Sequence, residues 1–202
     1  MDIKKHAFTL AEVLMAMVII GIIAALTVPA IITNVFAQAH ANNAKNIIAT
    51  IEQLATDELV THRTRFLSST DFAAVDTLLS DDHFEISDNC PNNCNADNGY
   101  FMINGHAAAA NQFDNQTLTL KNGAKITYTV DGNDDVYGTF VVDVNGDDRP
   151  NTIGRDIYSF TIDIQGHVNT PQGTVGGCSD GDAIQCTGVL MANSWRVPDG
   201  LR

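Results

Sequence analysis

Hydrophobic and polar positions change period along the 202 residues, and each change marks an element. From Val13 to Ile32 there are twenty residues without a charge, the length that crosses the hydrocarbon of a bilayer as a helix. Beyond it Ala37, Ala41, Ala44, Ile47, Ile48, Ile51, Leu54, Ala55 and Leu59 recur at helical spacing, while Asn42, Asn43, Lys45, Asn46, Glu52 and Gln53 fill the opposite positions. One helix is therefore predicted to run to about residue 60, apolar all round at first and amphipathic afterwards. A short helix is expected over Asp71 to Leu79, capped by Thr70. The period then drops to two. Thr117 to Val130 reads as two alternating runs around Asn122-Gly123, a dipeptide suited to the positive dihedrals of a tight hairpin. "TFVVDV" from Thr139 and "IYSFTIDI" from Ile157 add two strands, so a sheet of about four is expected to pack on the helix in an α+β fold.

Charge sets the orientation. Lys4 and Lys5 precede the apolar run, and nearly all of the net charge of −13 follows it, which puts the N-terminus in the cytoplasm and the rest outside. So acidic a domain argues against nucleic acid as a direct partner. All four cysteines, Cys90, Cys94, Cys178 and Cys186, then fall in an oxidising compartment and read as two disulfides. Pairing Cys90 with Cys94 and Cys178 with Cys186 closes two short, turn-rich loops. A secretory signal cleaved after "AQA", Ala37 to Ala39, competes with this reading, but the apolar run exceeds the usual signal length and Glu12 stands at its start. That carboxylate is costly inside a membrane segment, by roughly 2.5 to 3.5 kcal/mol on insertion scales. "TLAE", Thr9 to Glu12, offers it one role, a capping box in which Glu12 reaches back to the Thr9 amide. Pro29, inside the helical pattern, removes a donor and is expected to kink or locally unwind the helix.

"KKHA" followed by "FTLAEVLMAMVIIGIIAALTVPAI" resembles the N-terminus of type IV pilins and of the pseudopilins of type II secretion. The likeness rests on a basic leader, a small residue before Phe8, Glu12 four residues after that Phe, an uninterrupted apolar helix and Pro29. It implies cleavage between Ala7 and Phe8 by a prepilin peptidase and methylation of the new amine, although Ala7 stands where the family usually has Gly. It also implies that Glu12 neutralises the amine of a neighbouring subunit and that the helix melts near Pro29 on assembly. The domains it implies are a leader at 1–7, removed, a long helix at 8–60 with its membrane or filament-core half at 8–32, and a globular head at 61–202. "VDVNGDDRPNTIGRDIYSF" and, more weakly, "CTGVLMANSWRVPDG" resemble segments of pilin-like proteins too, and the cysteine-flanked C-terminal region resembles the disulfide-bounded loop of pilins.

Asp143, Asn145 and Asp147 alternate as the first oxygens of a calcium loop do, and Asp148 or Asp156 supplies a further carboxylate. The spacing departs from an EF-hand, since Gly146 falls two places early and Gly154 occupies the place of the closing Glu. An Asx-rich turn whose side chains bond their own backbone is the competing reading. A calcium ion here would be structural, and the chain requires no cofactor. Enzyme motifs are lacking: there is no nucleophile elbow, H-E-x-x-H or phosphate loop, and the six histidines are scattered. C-x3-C and C-x7-C in an oxidising compartment favour disulfides over zinc.

The chain is thus expected to be a structural subunit of a type IV pilus or pilus-like filament. Its partners would be further copies of itself, other pilins, the prepilin peptidase, an inner-membrane assembly platform and, before assembly, the membrane. It would sit in the inner membrane with one span, and outside the cell or in the periplasm once polymerised. A type II secretion pseudopilin is the alternative. A more remote one is an exported acidic hydrolase or calcium-binding module with a cleaved signal.

Overall fold

A computed structural model describes residues 9–73, 84–90, 94, 99–108, 117–132 and 135–201. The leader and most of the expected 71–79 helix lie outside these residues; Asp71 to Ala73 form only a bend and turn. Two compact units divide between Phe36 and Ala37.

The first unit is the apolar half of helix α1 (Leu10–Thr61). Apart from the half-buried Ala24, each of its residues from Thr9 to Phe36 whose burial is described is exposed, and Leu26 keeps 74% of its surface. A helix apolar on every side and covered on none is a membrane or assembly element rather than a surface helix. It is the one helix among the described residues long and apolar enough to cross a membrane. The helix runs through Pro29 without a break, so the local unwinding expected there is not present in the single chain.

The second unit is built on the other half of α1. Ala41, Ala44, Ile47, Ile48, Ile51, Leu54 and Ala55 of the predicted stripe are each at most 5% exposed, with Ala37 and Leu59 packed at its ends. Each of the larger aliphatic side chains contributes on the order of 1.5 to 3 kcal/mol by leaving water. An antiparallel sheet faces this core in the order β1 (Ile86–Cys90), β2 (Thr117–Leu120), β3 (Lys125–Val130), β4 (Gly138–Asp143), β5 (Ile157–Ile162) and β6 (Val168–Asn169). The described sheet has six strands rather than four. β1 and β6 escape pattern reading because one is polar and bulged between Ile86 and Asp88, and the other is two residues long.

The β2–β3 hairpin also differs in detail. Gly123 has φ +91° while Asn122 is not in the left-handed region, its side-chain oxygen accepting from Ala124 N at 3.1 Å. With Gly123 N donating to Leu120 O and Leu120 N to Ala124 O, this is a three-residue loop ending in a left-handed glycine, not a two-residue turn. β5 is buried at every position, which requires cover on both faces. Helix α3 (Ala183–Ala192) packs on it, preceded by the short α2 (Val175–Ser179). Phe140 and Phe160 stack across β4 and β5 with ring centroids 5.1 Å apart.

Candidate functional site

The N-terminal site begins at Thr9. Its backbone N and Oγ1 both donate to Glu12 Oε2, at 2.8 and 2.9 Å, and Glu12 N donates back to Thr9 Oγ1 at 3.3 Å. This reciprocal capping box satisfies amides that the first helical turn cannot pair internally and places the carboxylate where the helix dipole favours it. Glu12 is therefore held at the mouth of the apolar run, exposed among the described residues. Ala7 and Phe8 lie outside the described residues.

The second site is the loop between β4 and β5. Asp143 ends β4 and turns inward at 1% exposure, and Asp156 precedes β5 at 0%. Asp143 Oδ1 accepts from Asn145 N and Gly146 N at 3.2 and 2.9 Å, and Asp156 Oδ1 accepts from Thr152 N at 2.6 Å. The other oxygen of each carboxylate, together with Asn145 Oδ1, is buried with no hydrogen-bond partner among the described residues. Burial, then the nearby Asp156 charge, pushes Asp143 up to about 8, against its backbone bonds and Lys125; burial pushes Asp156 up to about 6. Asn151, fully buried in a left-handed conformation at φ +47°, brings its side-chain amide to the carbonyls of Asp148 and Gly146, at 2.8 and 3.0 Å from the amide nitrogen in its hydrogen-bonding orientation.

Of the residues proposed from sequence, Asp143, Asn145 and Asp156 therefore gather, and Asp147 does not. Its Oδ1 pairs with Lys125 Nζ at 2.7 Å on the solvent side, and Lys125 Nζ also donates to Cys94 O at 3.3 Å. Asp148 contributes its carbonyl, which accepts from Asn145 Nδ2 at 2.9 Å. Among the described residues no three His, Cys, Asp or Glu side chains converge as a metal cluster. An ion held here would need amide and carbonyl oxygens beside the two carboxylates, an all-oxygen donor set of the kind calcium takes. Asn151 is the member sequence reasoning missed; the signal was an Asn in a turn-rich segment, able to adopt positive φ.

Two glycines fix the loop. A Cβ on Gly146, at φ +66°, would stand 2.1 Å from Gly123 O of the β2–β3 turn. One on Gly154, at φ +88°, would meet Cys178 and Cys186 Sγ at 2.6 and 2.7 Å. The loop is thus wedged between a hairpin tip and a disulfide. Cysteines 178 and 186 are bonded to each other, as are Cys90 and Cys94, and no described cysteine is free. Half-buried His40 of α1 has its pKa lowered by burial, partly offset by a hydrogen bond with the Arg155 backbone, which docks the loop on the helix.

No curated protein and no solved structure matches the chain. A family profile, the prokaryotic N-terminal methylation motif, matches residues 3–28 and so spans the capping box and most of the apolar run. The chain carries the prepilin cleavage and methylation motif of type IV pilins and pseudopilins, proteins whose role is structural.

Proposed function

We propose that the chain is a structural subunit of a type IV pilus or pilus-like filament, cut between Ala7 and Phe8, methylated on the new amine, and polymerised through the apolar half of α1. The carrying observation is a helix that is apolar on all sides, exposed in its described membrane half at every position but the half-buried Ala24, and headed by a single carboxylate at Glu12. Such a surface is stable only in lipid or against copies of itself. The pseudopilin alternative uses the same N-terminal chemistry. Mass spectrometry of the mature chain tests the reading: the N-terminus should be a methylated Phe8, and a start at His40 would refute it.

A second reading is favoured by the unpartnered oxygens of Asp143, Asn145 and Asp156. Three buried acceptors without donors are costly, and a bound cation would satisfy all three at once. The donor set would be those oxygens and main-chain carbonyls of the loop, without Asp147, while the Asn151 amide nitrogen holds the carbonyls of Asp148 and Gly146 in place. Calcium would hold the loop in place against α1 and the Cys178–Cys186 disulfide. Titration calorimetry of the full chain in detergent should show calcium binding; no heat and no calcium-dependent change in melting would leave the loop an Asx-rich turn.

A further inference from the structure

A cavity of about 510 Å³ opens in the second unit, lined by Phe66, Ser68, Asp135, Asp163, Ile164, Gln165 and Asn169. Its volume lies within the roughly 300–1,000 Å³ of small-molecule sites. Hydrogen bonds from Leu67 N to Ile164 O at 2.8 Å, Tyr137 N to Ile162 O at 2.8 Å and Tyr137 Oη to Leu67 O at 3.3 Å tie its walls together. The side chains in it are less committed. Ser68, Asp135, Gln165 and Asn169 make no side-chain hydrogen bond or ion pair among the described residues, and the Phe66 side chain is 48% exposed beside the fully buried Leu67.

We propose that this cavity is a carbohydrate-binding site, taking a neutral pyranose or short oligosaccharide. Sugar hydroxyls donate and accept, so they suit the two amides and the Ser68 hydroxyl, which do both. The Asp135 carboxylate, unpartnered among the described residues, accepts from adjacent hydroxyls, and the Phe66 ring offers an apolar face to the C–H side of a pyranose. Anions are disfavoured because the lining holds two carboxylates and no Lys or Arg. An organic cation fits less well. One oxygen of Asp163 already accepts from Gln165 N and His167 N, both at 2.9 Å, and the other faces His167 Nδ1 at 3.6 Å, which leaves a single free carboxylate beside amide donors that a cation cannot use. The assignment does not depend on how the chain polymerises.

The test is ligand-observed saturation-transfer NMR on the full chain in detergent. The probes are the methyl glycosides of glucose, galactose, mannose and N-acetylglucosamine, with lactose and cellobiose, and tetramethylammonium as the cationic arm. At least one sugar should show saturation transfer with millimolar affinity. Phe66→Ala and Asp135→Asn should each weaken it about tenfold or more, and Met191→Ala, on α3, should leave it unchanged. Asp135 is exposed and unpartnered among the described residues, so its variant keeps the test valid should Phe66→Ala misfold. Transfer from no sugar, transfer unaffected by both cavity variants, or binding of tetramethylammonium alone would overturn the assignment.

Discussion

Asp143→Asn should change the pH dependence of stability more than the stability at low pH. The substitution keeps the shape and the oxygen that accepts from Asn145 N and Gly146 N, but removes a charge that the buried site disfavours. In the native chain Asp143 is raised from 3.8 to about 8 and Asp156 to about 6. A native pKa above the unfolded one means that the folded state holds more protons. The stabilisation is therefore complete below about pH 4 and is lost as pH rises through 6 for Asp156 and 8 for Asp143. At about 1.4 kcal/mol per unit, the Asp143 shift sets a ceiling of about 6 kcal/mol on that loss. For a domain this size this corresponds to a melting temperature lower by at most about 12–24 °C at pH 9 than at pH 4. With chelator present, thermal melts of the full chain in detergent should show that fall in the native protein and a much flatter profile in Asp143→Asn, with the variant the more stable at pH 8. Calcium should reverse the native slope, because it replaces the protons, and should do little to the variant. Parallel native and variant profiles in chelator would refute the account.

Three further outcomes follow from the same geometry. Asp147→Asn should leave calcium affinity within about twofold while Asp156→Asn weakens it more than tenfold by calorimetry, since Lys125 holds Asp147 away from the loop interior. Gly154→Ala should destabilise the head by about 3 kcal/mol or more, read as a melting temperature about 6–12 °C lower, because its Cβ meets both sulfurs of a disulfide at a positive φ; an unchanged melt would count against the wedge. Glu12→Gln should leave insertion and cleavage intact but strand processed subunits in the membrane, because breaking a buried ion pair costs about 3 to 5 kcal/mol for each subunit added; abundant normal filaments by electron microscopy would sink the assembly role.

The long helix was legible because two strong patterns lie end to end in it, a chargeless run and a stripe of nine small or aliphatic residues. The hairpin at Asn122-Gly123 and the strands around Phe140 and Phe160 were legible because each alternates beside turn chemistry. Helix α3 was not read, yet it has a start signal: Asp182 caps it, accepting from Gln185 N at 3.2 Å, and Gln185 Nε2 donates back at 2.9 Å. Its ten residues are short, and with Cys186, Thr187 and Gly188 buried among Val189 and Leu190 they show no polar face to betray a period. In the loop, sequence spacing chose alternate acids, but register decides which turn inward. Lys125 pairs with Asp143 across β3 and β4, and its amine reaches past to Asp147, so the acid two residues beyond Asn145 is drawn to solvent. Asn151 joined the site through a backbone conformation that no spacing rule encodes.

In the proposed filament Glu12 would link the local and the collective behaviour of the N-terminal helix. In the single chain its carboxylate already has partners, two donors from Thr9 on one oxygen, and it needs no neighbour to be stable at an exposed helix start. Exposed and screened by water, such bonds contribute little stability, but they restrain the side chain without burying it. The other oxygen, Oε1, makes no hydrogen bond among the described residues, so a second cation could be received there without first dismantling the cap. A filament that neutralises Glu12 with the amine of an adjacent subunit thus starts from a preformed acceptor, and the conformational cost of ordering the side chain has been met before subunits touch. As helices crowd and the local dielectric falls, that pair strengthens, whereas either charge alone becomes less tolerable. On the proposed reading one residue would therefore begin the helix in the membrane and make its unassembled state less favourable at a growing filament.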